Sequence, residues 1–483
     1  MEIQLKSFAS GYELEHLTRV FYPGAVLRKT GGTRGVLVYA RMGTRHMAVG
    51  VRTGTAVYLQ KADATQPQAQ RILVRMLYNL LRTATGQRPP WGMLTGVRPV
   101  SFLRHSLQKG GPQGAQRELV EYFDVSGEKY NLACLVEQQQ RPVLAAAQDN
   151  DYSLYVSIPF CPSRCSYCSF VSKTIGSEGQ LAQPYLQALK QELACTAQVA
   201  QNAGLQLASI YVGGGTPTSL NAEGLEFLLQ SIAQYFDTSA VAEYTVEAGR
   251  PDCTDYQKLE LLHTYGVSRI SINPQTMQDE VLLGIGRRHT AQDVVRCYED
   301  ARRAGHKSIN MDLIAGLPGD TAAGFADTLT QVLALNPENI TVHTLTKKRA
   351  SDLAKEELLQ NDVALMLQQG YPRLQAAGYL PYYMYRQKGT LQNMENTGWT
   401  RPGYAGLYNI HIMEEMQTIL ATGAGASTKL VAPQGRRMQR IFNYKYPAEY
   451  IRMFDEVLAR KKEVEKFYVG NLDTQTTGRS KPD

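Results

Sequence analysis

Residues 154 to 344 alternate between short apolar segments, rich in β-branched and aromatic side chains, and longer amphipathic segments with helical spacing. The alternation recurs six times, which is typical of a parallel sheet covered by helices. Because a closed barrel needs eight such units, the sequence predicts an α/β fold with an open (β/α)6 barrel, a partial TIM-type barrel. The predicted strands are Leu154–Phe160, Ser209–Val212, Tyr244–Glu247, Arg269–Asn273, Ser308–Ile314 and Asn339–Thr344. The predicted helices are Tyr185–Gln201, Ala222–Tyr235, Asp255–Tyr265, Ala291–Ala304 and Ala322–Leu335.

Unusual residues follow the carboxyl ends of these strands, where barrels of this kind place their functional sites. Each has an ordinary structural explanation when taken alone, since a glycine run is often a turn and a carboxylate is often a satisfied structural group. Their coincidence at one rim favours a polar ligand site. In chain order they are the Cys161–Cys168 loop, Gly213–Thr218, Glu247, Asn273–Gln275, Gly286–His289, Asp312 with Gly316–Gly319, and Thr346 with the basic run Lys347–Arg349.

The first of these segments carries three of the chain's seven cysteines, Cys161, Cys165 and Cys168. Three thiolates on one loop can bind three irons of a [4Fe–4S] cluster and leave the fourth iron open to a small molecule. A structural zinc site would need a fourth ligand, and the nearest other cysteines, Cys134 and Cys195, are far away in sequence. A disulfide framework is typical of small secreted chains, not of a long chain with an odd cysteine count.

The cysteine spacing resembles the signature of the radical S-adenosylmethionine (SAM) superfamily. In that superfamily the open iron is chelated by the amino and carboxylate groups of SAM, and an electron from the cluster splits the sulfonium to give a 5′-deoxyadenosyl radical. The wider pattern resembles the oxygen-independent coproporphyrinogen III oxidase family, and within it the HemZ branch. The matching segments are Tyr155–Phe170, Gly213–Thr218, Gln275, Arg287, Ser308–Pro318, Tyr385–Gln387, Asn393–Asn396, Gly423–Gly425 and, in the N-terminal region, Trp91–Pro99.

This resemblance implies oxidative decarboxylation of two propionates of coproporphyrinogen III, which yields protoporphyrinogen IX in heme and porphyrin biosynthesis. The implied cofactors are a [4Fe–4S] cluster, held by Cys161, Cys165 and Cys168, and SAM. The implied partners are a tetrapyrrole substrate and an electron donor such as flavodoxin or ferredoxin. The residues that would line SAM sites are Tyr155, Tyr167, Gly214, Gly215, Thr216, Glu247, Gln275, Arg287, Asp312 and Thr346.

Two positions depart from the oxidase pattern, because Ser157 stands in place of a histidine and Phe170 in place of a further cysteine. Phe170 is shared with the related heme-chaperone branch, which keeps a heme-binding function open as an alternative. That branch carries a His-Asn-x-x-Tyr-Trp motif, whereas this chain has Tyr408-Asn-Ile-His-Ile-Met413. A third alternative is radical SAM chemistry on another tetrapyrrole.

Composition indicates an ordinary globular protein, with 43% hydrophobic and 20% charged residues. No apolar run is long enough for a membrane helix, and the start of the chain lacks the pattern of a signal peptide, so we expect a cytoplasmic protein. The net charge of +7 suits an acidic substrate, while the absence of a dense basic run argues against nucleic acid. The oligomeric state is left open.

The sequence predicts four regions: an N-terminal α+β domain over residues 1–150, the barrel over 151–350, a substrate-covering α+β region over 351–470 and a disordered tail over 471–483. In the first region we expect helices at Tyr12–Val20 and Gln68–Thr83 and strands at Val36–Arg41, Met47–Arg52 and Val57–Gln60. The Pro/Gly-rich segment Pro89–Pro99 is either a substrate loop or a buried connection. In the third region, Asp352–Ala377, Tyr408–Thr422 and Tyr446–Glu463 are predicted helices.

Overall fold

A computed structural model of the 483-residue chain describes residues 2–6, 11–23, 26–27, 37–96, 98–168, 172–346, 353, 362–387, 389–433 and 437–476. It divides the chain into two compact units. The first takes Met1–Glu137 and Tyr385–Glu395, and the second takes Gln138–Met384 and Asn396–Asp483. In sequence, the first boundary between the units falls between residues 137 and 138, whereas the predicted domain boundary is at residue 150. The division of the chain into domains stays a prediction.

The first unit contains a five-stranded sheet in the order β2-β1-β3-β4-β5. Its core is formed by the apolar faces of α1 and α2 against alternate residues of β3 and β4. The N-terminal helices and strands predicted from apolar spacing are confirmed to within three residues. The elements are β1 (Glu2–Lys6), α1 (Tyr12–Phe21), β2 (Val26–Leu27), β3 (Leu37–Met42), β4 (His46–Thr53), β5 (Ala56–Asp63), α2 (Ala69–Thr85), α3 (Pro99–Gln116) and α4 (Gly127–Ala146).

The first unit contains a buried ion pair between Lys129 and Glu395 that also binds the Trp91 side chain. The carboxylate of Glu395 accepts hydrogen bonds from Lys129 Nζ and from the Trp91 indole N–H, both at 2.8 Å. Glu395 and Trp91 are fully buried, and Lys129 is nearly so. Of the two alternatives for this part of Pro89–Pro99, the structure supports the buried connection at Trp91.

The second unit is built on an eleven-stranded sheet in the order β14-β15-β13-β12-β11-β10-β9-β6-β16-β17-β18. Six neighbours in that order, β6 and β9 to β13, are parallel and correspond to the six predicted strands. The fold is the expected α/β fold with an open (β/α)6 barrel. The strands of the large sheet are β6 (Asp151–Ile158), β9 (Gln206–Gly214), β10 (Glu243–Glu247), β11 (Arg269–Ser271), β12 (Ile309–Ala315), β13 (Asn339–Thr344), β14 (Leu380–Tyr385), β15 (Asn396–Thr400), β16 (Thr418–Thr422), β17 (Ser427–Val431) and β18 (Met438–Phe442), while β7 (Phe160–Cys161) and β8 (Lys173–Thr174) form a separate two-stranded sheet.

Helices follow most of these strands, and all five predicted barrel helices are confirmed. They are α5 (Ile175–Glu178), α6 (Ala182–Asn202), α7 (Ala222–Tyr235), α8 (Tyr256–Thr264), α9 (Asp279–Gly284), α10 (Ala291–Arg303), α11 (Ala322–Leu335), α12 (Val363–Ala376), α13 (Leu407–Glu414), α14 (Pro447–Arg452) and α15 (Phe454–Thr476). No helix in the described ranges is both long and apolar enough to cross a bilayer.

Two expectations for the C-terminal part are wrong. The predicted helix Tyr408–Thr422 ends at Glu414, because Glu415 adopts a left-handed conformation (φ 53°), and the chain then forms β16 parallel to β6. The predicted disordered tail from 471 overlaps α15, which continues to Thr476. Residues 477–483 and the first half of the predicted helix Asp352–Ala377, apart from Leu353, lie outside the described residues.

A buried carboxylate ties the loop after β16 to α6. Glu192 is fully buried, and its Oε2 accepts hydrogen bonds from Gly423 N at 2.7 Å and from Tyr450 OH at 2.6 Å. Its Oε1 lies 2.8 Å from Lys461 Nζ and 2.7 Å from Asn443 Nδ2. Four donors on one carboxylate compensate for the loss of its hydration, so this charge is stable in the interior.

Candidate functional site

The cysteine loop leaves the parallel sheet at Cys161 and is held by its neighbours. Phe160 O accepts from Thr216 N at 2.7 Å, Ser166 N donates to Ile285 O at 3.0 Å, and Ser163 Oγ donates to Gly286 O at 3.1 Å. Cys165 is buried, and Cys161 and Cys168 are half-buried. The loops after three different strands therefore meet at the predicted cluster site.

The sulfur atoms of Cys161 and Cys165 have hydrogen-bond donors of the kind that stabilise a bound thiolate. Thr216 Oγ1 lies 3.6 Å from Cys161 Sγ, and Arg250 Nη1 lies 3.2 Å from Cys165 Sγ. All seven cysteines, each within the described residues, are thiols and not disulfides. Burial raises the pKa of the Cys161 thiol, so the protonated form is favoured until a metal displaces the proton.

The donor set fits a [4Fe–4S] cluster in its chemistry, because it offers three thiols on one loop and hydrogen-bond donors to sulfur. Within the part of the chain that the structure describes, no three His, Cys, Asp or Glu side chains lie close enough to hold one metal ion. A cluster does not require such a group, because each cysteine ligates a different iron. Tyr167, between the second and third cysteines, has its pKa raised by burial and by the nearby thiols, so its hydroxyl keeps its proton.

The glycine loop Gly213–Gly215 is required by the neighbouring strand. A Cβ on Gly215 would lie 2.4 Å from Phe160 O, and Gly214 has a φ of 104°. The Gly215 N–H donates to Ile158 O at 2.7 Å, so the loop lies directly on β6. From the sequence, we interpret these glycines as room for a ligand to approach the backbone. In the structure, the close approach of the loop to β6 and Phe160 is already a sufficient reason for glycine.

We expect Gly215→Ala to destabilise the protein by roughly 1–3 kcal/mol, because the added methyl group collides with the backbone and overpacking has that cost. Urea unfolding of variant and wild type measures the change. Gly284→Ala is the matched control, because a Cβ there meets nothing within 4 Å. Equal stability of the two variants would contradict the close approach.

Glu247 lies at the carboxyl end of β10 beside a group of stacked tyrosines. Its Oε1 accepts a hydrogen bond from Tyr211 OH at 2.7 Å. The Tyr211 ring stacks on Tyr408 with ring centroids 4.4 Å apart, and Tyr155 lies 6.1 Å from Tyr211. Burial, reinforced by the charge of Asp312, raises the pKa of Glu247 to about 7. The carboxyl group therefore changes its charge near neutral pH.

Asp312 on β12 contacts Asn310 and His343. Asn310 Nδ2 donates to Asp312 Oδ1 at 2.8 Å, and His343 Nε2 lies 3.6 Å from Oδ2. Burial acts to raise the pKa of Asp312, but His343 and the hydrogen bonds outweigh it and leave the pKa below its ordinary value. The site thus holds one carboxylate that stays ionised and one, Glu247, that is poised to accept a proton.

The pKa of Glu247 predicts a measurable dependence of stability on pH. Between its ordinary value of 4.5 and about 7, the native state holds a proton that the unfolded state has lost, so stability falls as the pH rises through this window. Glu247→Gln removes the effect. We expect the variant to match wild type near pH 4 and to exceed it by roughly 3 kcal/mol at pH 8, measured by urea unfolding. A stability difference that does not vary with pH would contradict the raised pKa.

Gln275 and Arg287 carry polar atoms that have no hydrogen-bond partner among the described residues, although both side chains are buried. These atoms are Gln275 Oε1 and Arg287 Nε. Gln275 has a φ of 69°, and Arg287 Nη1 donates to Asn273 O. Buried polar atoms without partners are rare in folded proteins, and a polar ligand can satisfy them.

The predicted site residues come together in pairs and small groups. Thr216 contacts Cys161, Glu247 connects to Tyr155 through Tyr211, and the charge of Asp312 raises the pKa of Glu247. Thr346 is buried, with its hydroxyl bonded to Thr344 O at 3.3 Å. Phe170 and Lys347–Arg349 lie outside the described residues. The roles assigned to the predicted site residues stay predictions.

Sequence reasoning missed Arg250, Asp252, Tyr211 and His343. Arg250 was detectable, because it lies three residues after the predicted strand Tyr244–Glu247, at the rim where the other candidates were sought. Tyr211 and His343 lie within strands, where nothing in a single sequence distinguishes a site residue from a core residue.

Ser157, which stands in place of the histidine of the oxidase pattern, packs closely against the loops of Gly214 and Gly423. Ser157 Oγ donates to Ala424 O at 2.9 Å, and a Cβ on Gly214 would lie 2.9 Å from that oxygen. A Cβ on Gly423 would lie 2.5 Å from Ser157 O. The small serine therefore occupies a closed position between two glycine loops.

Comparison with known proteins matches residues 155–332 to the radical SAM superfamily. The oxygen-independent coproporphyrinogen-III oxidase-like protein HemZ of Bacillus subtilis is 37% identical over 82% of this chain and 80% of its own length. The heme chaperone HemW of Haemophilus influenzae is 32% identical over 65% of this chain and 79% of its own length. The structure of coproporphyrinogen III oxidase (HemN) from Escherichia coli, a radical SAM enzyme, aligns with 66% of this chain and 72% of that one at 25% identity and a TM-score of 0.49.

The matched segment contains the cysteine loop and the rim residues from Tyr155 to Asp312, and β13 and Thr346 follow it in the chain. The chain therefore belongs to the radical SAM superfamily and, within it, to the oxygen-independent coproporphyrinogen III oxidase-like family, in the HemZ branch. Membership implies a [4Fe–4S] cluster and SAM.

Proposed function

We propose that the protein is a coproporphyrinogen dehydrogenase, which decarboxylates two propionates of coproporphyrinogen III to vinyl groups and releases protoporphyrinogen IX. The observation that carries the proposal is the meeting of the cysteine loop with the glycine loop and the Gly286–Arg287 loop at one rim. The relative HemZ, which is named as a coproporphyrinogen-III oxidase-like protein, supports the substrate. We retain a cytoplasmic location as a prediction.

Cys161, Cys165 and Cys168 would hold the cluster, which when bound and reduced supplies the electron that cleaves SAM to methionine and a 5′-deoxyadenosyl radical. Arg287 Nε and Gln275 Oε1 offer a donor and an acceptor to the carboxylate and amino group of SAM. Tyr155, Tyr167, Gly214, Gly215, Thr216 and Thr346 complete the proposed lining.

Asp312 and Glu247 would accept hydrogen bonds from the ribose hydroxyls, since carboxylate oxygens are acceptors. The ionised state of Asp312 suits that role at any pH near neutral. In the reaction each propionate loses its β-hydrogen atom to the adenosyl radical, then CO2, and finally one electron to an acceptor, and a vinyl group remains. A flavodoxin or ferredoxin would supply the electron for SAM cleavage.

A heme-binding role is the second candidate, because HemW, a heme chaperone, is 32% identical over 65% of the chain. Tyr408 stands where the chaperone motif begins with histidine. Its side chain is buried in the stack with Tyr211, and burial raises its pKa well above the ordinary value. The replacement of that histidine by a tyrosine that packs in an aromatic stack favours the oxidase.

Product analysis separates the candidates. The reconstituted protein, kept free of oxygen, is incubated with SAM, a reductant and coproporphyrinogen III, and porphyrins and 5′-deoxyadenosine are quantified. We expect vinyl product with 5′-deoxyadenosine formed in proportion. A parallel heme titration is the control. Tight heme uptake without vinyl product would overturn the oxidase proposal, and deoxyadenosine formed only with another tetrapyrrole would redirect it.

A further inference from the structure

Arg250 is a buried cation directly behind the cysteine loop. It follows β10 and is 3% exposed. A Cβ on the preceding Gly249 would lie 2.9 Å from Asn273 Nδ2, so the glycine leaves room for that side chain. The backbone then enters a short 3-10 turn at Pro251–Cys253. The turn directs the guanidinium toward the loop that carries Cys165.

Asp252 fixes the plane of this guanidinium. Its two carboxylate oxygens accept from Arg250 Nε at 2.8 Å and from Arg250 Nη2 at 2.6 Å, and this paired arrangement defines both position and orientation. The imidazole of His289, also buried, lies 3.8 Å from the same carboxylate. One edge of the guanidinium is thus anchored within its own loop.

The remaining donors of Arg250 reach the cysteine loop. Nη1 lies 3.2 Å from Cys165 Sγ, and Nη2 donates to Ser163 Oγ at 2.9 Å. The contact from Thr216 to Cys161 is longer, at 3.6 Å, and comes from a neutral hydroxyl. Of these two sulfur contacts, only that of Cys165 involves a positive charge.

We propose that Arg250 is a positioning residue for the cluster, which holds Cys165 by a charge-assisted hydrogen bond to its sulfur and raises the reduction potential of the cluster. The inference rests on the proposed function, because it needs a cluster on the three cysteines. When one electron from a flavodoxin- or ferredoxin-class donor enters a cluster, negative charge on its thiolate ligands increases. A cationic donor at one sulfur therefore stabilises the reduced state more than the oxidised state.

The test replaces the ion pair as a unit, so that no buried charge is left alone. The double variant Arg250→Gln/Asp252→Asn removes the cation from Cys165 but keeps two polar side chains of similar shape. The single variant Asp252→Asn is the matched control, because the guanidinium and its contact with Cys165 remain. Both proteins and wild type are reconstituted without oxygen. Iron and sulfide are counted, and the reduction potential is measured by EPR-monitored titration.

We expect the double variant to show about a tenfold lower ratio of reduced to oxidised cluster at a fixed ambient potential, which is 59 mV for a one-electron couple. The Asp252→Asn control should show no such fall. Arg250→Lys keeps the charge on a shorter side chain and should fall between wild type and the double variant. It provides the measurement if the double variant does not fold, which thermal unfolding would reveal.

Two further results would overturn the inference in distinguishable ways. If wild type binds a cluster and the variants share its potential, Arg250 is a structural residue and the proposed function is untouched. If wild type binds no iron or sulfide after reconstitution, the proposed function fails together with the inference.

Discussion

Replacement of Cys165 by alanine is expected to abolish SAM cleavage and reduce bound iron and sulfide to background. The loop offers three sulfur ligands, and loss of one leaves a second iron without a protein ligand. Cys165 is the most buried of the three and the one whose sulfur accepts a hydrogen bond from Arg250. Iron and sulfide analysis, EPR of the reduced protein and 5′-deoxyadenosine formation measure the effect.

Cys195→Ala is the control for this experiment. Cys195 is a half-buried thiol on α6, outside the loop, and its removal should leave cluster content and SAM cleavage at wild-type levels. Full cluster content in Cys165→Ala would refute the ligand assignment. Equal loss in both variants would show that cysteine replacement damages the protein in a general way.

Replacement of Glu192 by alanine is expected to destabilise the protein by about 3–5 kcal/mol, the usual effect of breaking a buried ion pair. The change removes the acceptor for four hydrogen-bond donors. The ammonium group of Lys461, which is 3% exposed, loses its ion pair and keeps its hydrogen bond to the carbonyl of Ala421. It also releases Gly423 N, which anchors the loop beside Ser157. The midpoint of urea unfolding, followed by fluorescence, reports the loss.

A surface ion pair on α15 provides the comparison. Glu463 and Lys466 lie 2.7 Å apart with largely exposed side chains, so Glu463→Ala should change stability by no more than about 0.5 kcal/mol. If Glu192→Ala were equally mild, the buried carboxylate would have to be neutral or hydrated in the native state.

The barrel was predictable because its signal is periodic. Strands such as β9 and β12 are short apolar runs followed by helices, and each recurrence strengthens the same interpretation. The region after residue 400 gave no such recurrence. The helix α13 and the strand β16 were merged in the prediction, since Thr418–Thr422 is buried on both faces and a short apolar run does not reveal its own period.

The left-handed residue Glu415, which separates those two elements, is equally invisible in a single sequence. Glutamate rarely adopts this conformation, whereas glycine or asparagine would have marked the end of the helix. The missed break concealed the strand that extends the sheet beyond β6.

The candidate site was predictable where chemistry is concentrated in one segment, as with Cys161, Cys165 and Cys168. It was also partly predictable where residues follow strand ends, as with Glu247. Contacts between residues of different strands, or of the loops that follow them, could not be predicted. Tyr211 meets Glu247, and Arg250 meets Cys165, only because parallel strands bring distant positions to one edge, and spacing along the chain carries no record of it.

The ion pair between Lys129 and Glu395 has a consequence for biosynthesis. The two residues are 266 positions apart, yet both belong to the first compact unit. At about 5–20 residues per second, the ribosome needs roughly 13–53 s to reach the second partner after the first. The nascent amino-terminal unit therefore cannot form this ion pair until the barrel strands have been translated, and its interior stays incomplete while the cysteine loop is already outside the exit tunnel.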